Sequence, residues 1–110
     1  GLPEEFTEFY VQFHRDTAFQ MAHIIWPLAG IRAGFDAGVD STWTRAEWQP
    51  HTIIPSALEY DQSFQVLTDE LIVETIRDKK APYAMQRRFA KTSNDWALIY
   101  YVEMQPSRTE

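Results

Sequence analysis

The stretch Leu71–Gln105, LIVETIRDKKAPYAMQRRFAKTSNDWALIYYVEMQ, holds the clearest structural signal in the chain. Three runs in it carry strand character: Leu71–Asp78, Tyr83–Lys91 and Trp96–Gln105. The short turns Lys79-Lys80-Ala81-Pro82 and Thr92-Ser93-Asn94-Asp95 separate them. Paired as hairpins, the first two runs set Ile76 against Met85, Glu74 against Arg87 and Ile72 against Phe89. The second hairpin sets Lys91 against Trp96, and so Phe89 against Leu98, Arg87 against Tyr100 and Met85 against Val102. Both registers collect Ile72, Ile76, Tyr83, Met85, Phe89, Trp96, Leu98, Tyr100, Val102 and Met104 on one face. Thr75, Arg77, Gln86, Arg88 and Glu103 fall on the other, together with Val73, Ile99 and Tyr101. A slip of one residue would turn a strand's core side outward, so the hydrophobic pattern itself supports this register.

Two charged residues stand within that apolar face. Glu74 and Arg87 lie opposite each other, with Tyr100 on the next strand. A guanidinium grips a carboxylate through two N–H groups, and a phenol donates or accepts beside it. If the sheet curves, the trio becomes the floor of an aromatic-walled cavity able to bind an anion or the polar tip of a ligand. The competing structural reading is an ion pair that fixes strand register. Removing one partner of such a buried pair costs roughly 3–5 kcal/mol on either reading.

The aromatic cover for this face comes from the N-terminus. Pro3-Glu4-Glu5 opens a helix, and Phe6, Phe9, Tyr10 and Phe13 recur at helical spacing as one stripe. On that pattern His14 lies on the exposed side. Asp16 caps a second short helix through Phe19 and Met21, and His23-Ile24-Ile25-Trp26 reads as a strand that Pro27 ends or marks as an edge, with His23 outward. Gly30, Gly34 and Gly38, with Asp36 and Asp40, make 29–41 a loop or hairpin tip; its acids lack the later ligand of a calcium loop. Thr44-Arg45-Ala46-Glu47-Trp48 has capping-box spacing and reads as a single helical turn. Ile53-Ile54-Pro55 is a short strand candidate and Glu59-Tyr60-Asp61 a turn.

Trp43 and Trp48, five apart, rim a cleft or plug the end of the sheet, and Trp96 is a further candidate for the rim. His14, His23 and His51 show no metal-ligand spacing, so neither a metal nor a cofactor is expected. His51, after Pro50, is the only histidine placed to be considered as a general base.

Composition bounds the rest. At 110 residues the chain is read as one domain, 1–110, with 45% apolar and 15% aromatic residues. Ten basic against sixteen acidic side chains give a net charge of −6, and no basic cluster exceeds a pair, which argues against nucleic acid. The absence of cysteine removes disulfides and thiolate chemistry. No apolar run is long enough to cross a bilayer. The Gly1-Leu2-Pro3 start carries no signal-like segment; an export signal removed beforehand is compatible with this.

Phe6–Phe13, Thr17-Ala18-Phe19-Gln20 leading into Ile25-Trp26-Pro27-Leu28, Trp43–Trp48 and the closing Asp95–Tyr101 resemble an uncharacterised family of bacterial envelope proteins, domain of unknown function 4348. That family occurs mainly in Bacteroidetes, often exported or lipid-anchored. The resemblance spans nearly the whole chain on aromatic and proline landmarks. It implies an α+β fold of the nuclear transport factor 2-like or cystatin-like kind, with N-terminal helices packed on a strongly curved, cone-shaped antiparallel sheet. It also implies a periplasmic or envelope location, and it brings no established active site.

The superfamily's enzymes use a carboxylate or a His–Asp pair inside the cone, and no such His–Asp pair matches here. The leading expectation is a non-enzymatic module that binds a small molecule or an envelope protein. The alternative is an isomerase- or dehydratase-type enzyme with Glu74 as base, Arg87 as anion clamp and Tyr100 as proton donor. A third is a homodimer formed through the face carrying Val73, Ile99 and Tyr101.

Overall fold

The computed structural model describes residues 1–32, 41–93 and 95–106. Among them are helices α1 (Glu4–Arg15) and α2 (Thr17–Ala22). The strands are β1 (Ile24–Ile31), β2 (Ser41–Trp43), β3 (Tyr60–Thr68), β4 (Leu71–Asp78), β5 (Tyr83–Thr92) and β6 (Asp95–Pro106). The strands form one curved, open sheet in the order β2-β1-β6-β5-β4-β3, and the helices pack on one face of it. β1 runs parallel to β6 while the other pairs are antiparallel, so the α+β fold carries a mixed sheet rather than a purely antiparallel one.

Local chemistry accounts for the elements. α1 starts on Pro3 with Glu4 and Glu5 in its first turn and ends with His14 and Arg15 in its last, as the helix dipole favours. Asp16 closes α1 and caps α2, its Oδ1 accepting the Phe19 N–H at 3.0 Å. The capping box forms: Thr44 N–H reaches Glu47 Oε1 at 2.9 Å and Glu47 N–H reaches Thr44 Oγ1 at 3.3 Å. Asp78 Oδ1 accepts the Lys80 and Ala81 N–H groups and so shapes the β4–β5 turn.

The hairpin β4–β5 has the anticipated register: Glu74 faces Arg87, Ile72 faces Phe89 and Ile76 faces Met85. β5–β6 begins as anticipated, with Lys91 on Trp96 and Phe89 on Leu98. It then slips between Phe89 and Arg88, so that Arg87 faces Tyr101 and Arg88 faces Tyr100. A bulge adds one residue to β6 and exchanges the two faces beyond it. Tyr101 is therefore buried, and Tyr100 shares the outer face with the Arg88 guanidinium, 4.2 Å from its ring centre. Tyr100 thus stands beside Arg88 and not, as expected from the unbroken register, beside Arg87.

Four other expectations change. β1 does not stop at Pro27 and is not an edge. It continues to Ile31 between β2 and β6, and Pro27, after a cis bond from Trp26, falls where the register with β6 slips between Ile24 and Ala29. A residue without an N–H is tolerated there because no ladder bond is needed. His23 caps α2 and stacks on Phe19 at 3.9 Å rather than opening a strand. Ala29–Ile31 are strand; residues 33–40, with Gly34, Asp36, Gly38 and Asp40, lie outside the described residues. Ile53-Ile54-Pro55 has no strand pairing, and Tyr60-Asp61 open the edge strand β3 instead of making a turn.

Gly30 is set by close approach. A Cβ there would stand 1.8 Å from the Tyr101 carbonyl oxygen and 2.9 Å from the Trp43 ring, so only glycine lets β1 lie against β6 at this point.

Candidate functional site

The α1 stripe meets the sheet in two different ways. Phe6, Phe9 and Phe13 lie on Phe89 and Trp96 with ring centres 5.1 to 5.8 Å apart. Tyr10 and His14, on the same helix, lie over Glu74 and Arg87. Glu74 is 0% and Arg87 1% exposed, so this ion pair is in the dry interior. Such a pair survives only when every remaining lone pair and N–H is matched.

The matching is nearly complete. Arg87 Nε donates to Glu74 Oε1 at 2.6 Å and Nη2 donates to the Tyr10 hydroxyl at 3.1 Å. Nη1 lies 3.1 Å from both His14 Nε2 and His51 Nδ1. Glu74 Oε2 accepts from the Tyr10 hydroxyl and, at 2.7 Å, from Gln62 Nε2. A guanidinium only donates, so both imidazole nitrogens facing it are lone pairs. His14 therefore carries its proton on Nδ1, which gives it to the Tyr10 carbonyl at 2.8 Å.

The electrostatics agree with that assignment. Burial, reinforced by the Arg87 charge, holds His14 below the usual imidazole range, and the same causes with His14 bring His51 down to about 3. Burial pushes the Tyr10 phenol well up, against the pull of Arg87, and moves Tyr101 up to about 12. At neutral pH the centre is one cation, one anion, two neutral imidazoles and two protonated phenols.

Gln20 holds the second wall in place. Fully buried on α2, it uses its whole amide: Nε2 donates to the Phe13 and His51 carbonyls at 2.7 and 2.8 Å. Its Oε1 accepts from Trp48 Nε1 at 2.8 Å and the His51 N–H at 2.9 Å. His51 is thus gripped by its backbone on both sides and wedged between the Trp48 and Tyr101 rings, 4.7 and 5.0 Å away. This fixes its imidazole on Arg87.

A cleft of about 260 Å³ opens beside this centre, lined by Pro50, His51, Thr52, Ile53, Pro55, Met85 and Arg87. A hollow of about 320 Å³ shares Ile53, Pro55 and Met85 with it and continues over Ile76 and Met104. A wider concavity, about 850 Å³, runs along the outward sides of α1 and α2 from Thr7 to Ala18 and touches none of the polar centre. It has no convergent buried polar group and is a surface trough.

Of the residues singled out from sequence, Glu74 and Arg87 come together. Tyr100 does not join them. Trp43, Trp48 and Trp96 are 5%, 6% and 3% exposed. They pack in the core: Trp43 on Tyr101, Trp96 on Phe6, and Trp48 behind His51. The cleft rim is proline, isoleucine and methionine instead. His14, expected at the surface, is 3% exposed. Tyr10, Gln20, Gln62 and Tyr101 complete the arrangement and were not anticipated in it.

Both oxygens of Glu74 are engaged in the dry interior, so it is not a free base. Among the described residues, no group of three His, Asp or Glu side chains comes together as metal ligands. No described helix is long and apolar enough to cross a membrane.

No family model matches the chain, and no curated protein does. Among solved structures, it is similar to a nuclear transport factor 2-like protein of Bacteroides fragilis, at TM-score 0.68 and 18% identity over 93% of this chain and 47% of that one. It is also similar to a cystatin-like protein of Bacteroides caccae, at TM-score 0.59 and 15% identity over 94% of this chain and 80% of that one. The chain spans about half the length of the first of these. At such identities the likeness shows the fold: nuclear transport factor 2-like, α+β.

Proposed function

We propose that this domain is a non-enzymatic cell-envelope binding module that takes a small ligand in the cleft beside His51. One observation carries the reading: the only carboxylate at the centre is consumed by Arg87, Tyr10 and Gln62, while apolar space stays open next to Arg87 and His51. That combination suits recognition. A general base needs a lone pair within reach of its substrate, and Glu74 is fully buried, engaged at both oxygens and outside the lining of the cleft. The cleft is smaller than the 300–1,000 Å³ typical of drug-sized sites, so its occupant is a compact molecule. The envelope location and membership of the Bacteroidetes family rest on the aromatic and proline landmarks, and the two Bacteroides neighbours are in keeping with them.

A fragment screen read by intrinsic tryptophan fluorescence tests the proposal, because Trp48 stacks on His51. The expected result is saturable quenching by at least one small fragment, lost when Met85→Phe narrows the cleft. Fragments that bind equally well to the narrowed variant would overturn it.

A further inference from the structure

The donor set of the cleft narrows what it can hold, and this step rests on the binding reading above. Arg87 obliges His51 Nδ1 to be a lone pair, so the single proton of the neutral ring is on Nε2. That N–H finds no hydrogen-bond acceptor among the described residues. His51 Nε2 is not among the sealed, unpartnered polar atoms of the described residues, and His51 lines the cleft. Packing between the Trp48 and Tyr101 rings and the contact of Nδ1 with Arg87 keep the ring from turning this edge away, on a backbone that Gln20 holds in place.

Pro50, Ile53, Pro55 and Met85 make the rest of the lining mainly apolar, with Thr52 adding one uncharged hydroxyl. An occupant therefore needs one acceptor atom on a short apolar body. Charge decides between the acceptors. A carboxylate entering an apolar cleft needs an unpaired cation to replace its water, and Arg87 is already neutralised by Glu74, with four of its five N–H groups in use. An uncharged carbonyl loses far less hydration and is matched by one N–H donor.

We infer that the cleft is a site for small uncharged acyl compounds (amides, esters or ketones) whose carbonyl oxygen accepts from His51 Nε2–H.

Hexanamide and hexanoate, a neutral and an anionic probe of equal chain length, test this on the intact domain at pH 7 by long-range proton–nitrogen NMR of the histidines. The free protein should show His51 protonated on Nε2. Hexanamide should shift that resonance saturably and bind at least roughly tenfold more tightly than hexanoate. His51→Phe keeps the ring packing and should abolish the preference; if that variant does not fold, the wild-type titration decides alone. Tighter binding of hexanoate would overturn the acyl assignment and leave the cleft as a binding site. A His51 proton found on Nδ1 would overturn it as well. Saturation by neither probe would overturn the acyl assignment, while fragments that displace each other in the fluorescence screen would still uphold the cleft.

Discussion

The two halves of the α1–sheet contact differ in what holds them. On one side, Phe6, Phe9 and Phe13 meet Phe89 and Trp96 in edge-on contacts, which depend on area and volume. On the other, Tyr10 and His14 meet Glu74 and Arg87 through directed bonds in which each atom has an assigned partner. The same helix presents both, one turn apart. The aromatic half can be resized in small steps. The polar half is close to all or none, since any deletion leaves another group buried and unmatched.

The contrast breaks most sharply at Arg87. Arg87→Met strands the Glu74 carboxylate and should cost roughly 3–5 kcal/mol in chemical denaturation. Glu74→Leu combined with Arg87→Met should recover much of that loss; equal or greater loss in the double variant would show that the pair is not the unit. Next comes Gln20→Leu, similar in size, which leaves two donors and two carbonyls unmatched at the back of His51. A loss of about 2–4 kcal/mol is expected, with a shift in Trp48 emission that a purely local packing defect would not produce.

Acid sharpens the comparison without mutation. His14 and His51 bind protons less readily folded than unfolded, since their folded values lie below the ordinary 6.5. The unfolded chain therefore takes up more protons as pH falls. The stability this provides is fully present above about pH 6.5 and drains away towards about 3, the His51 value, by at most about 1.4 kcal/mol per pH unit for each ring. Urea midpoints between pH 7 and 4.5 should show the slope, reduced by one proton's share in His51→Phe. The smallest effect belongs to the aromatic half: Phe13→Leu should cost about 1 kcal/mol and leave the pH slope unchanged.

How far the sequence revealed this follows from the same division. The hairpin of β4 and β5 was legible because side-chain alternation is the direct imprint of a half-buried strand, and it placed Glu74 against Arg87. The bulge was not legible, since Ile99, Tyr100 and Tyr101 are all large and apolar enough to fit either face. β3 was hidden because it is an edge strand with few buried residues, and its exposed Gln62 reaches in only with its amide, to Glu74 and Tyr10. His14 was assigned outward on polarity, although it stands four residues after Tyr10 and eight after Phe6, on the buried stripe. Polar residues at core positions are what a pattern reader discards, and here they form the candidate site.

The parallel neighbourhood of β1 and β6 carries a kinetic consequence. Gly30 finds its partner Tyr101 about seventy residues further along the chain, whereas β3 to β6 close through tight local turns. Loop-closure entropy makes the long-range zipper the slow event and the meander the early one. Until β1 and β2 dock on β6, the Tyr101 ring has no wall of Trp43 and Trp48 to enter, so the back of the cleft is assembled last.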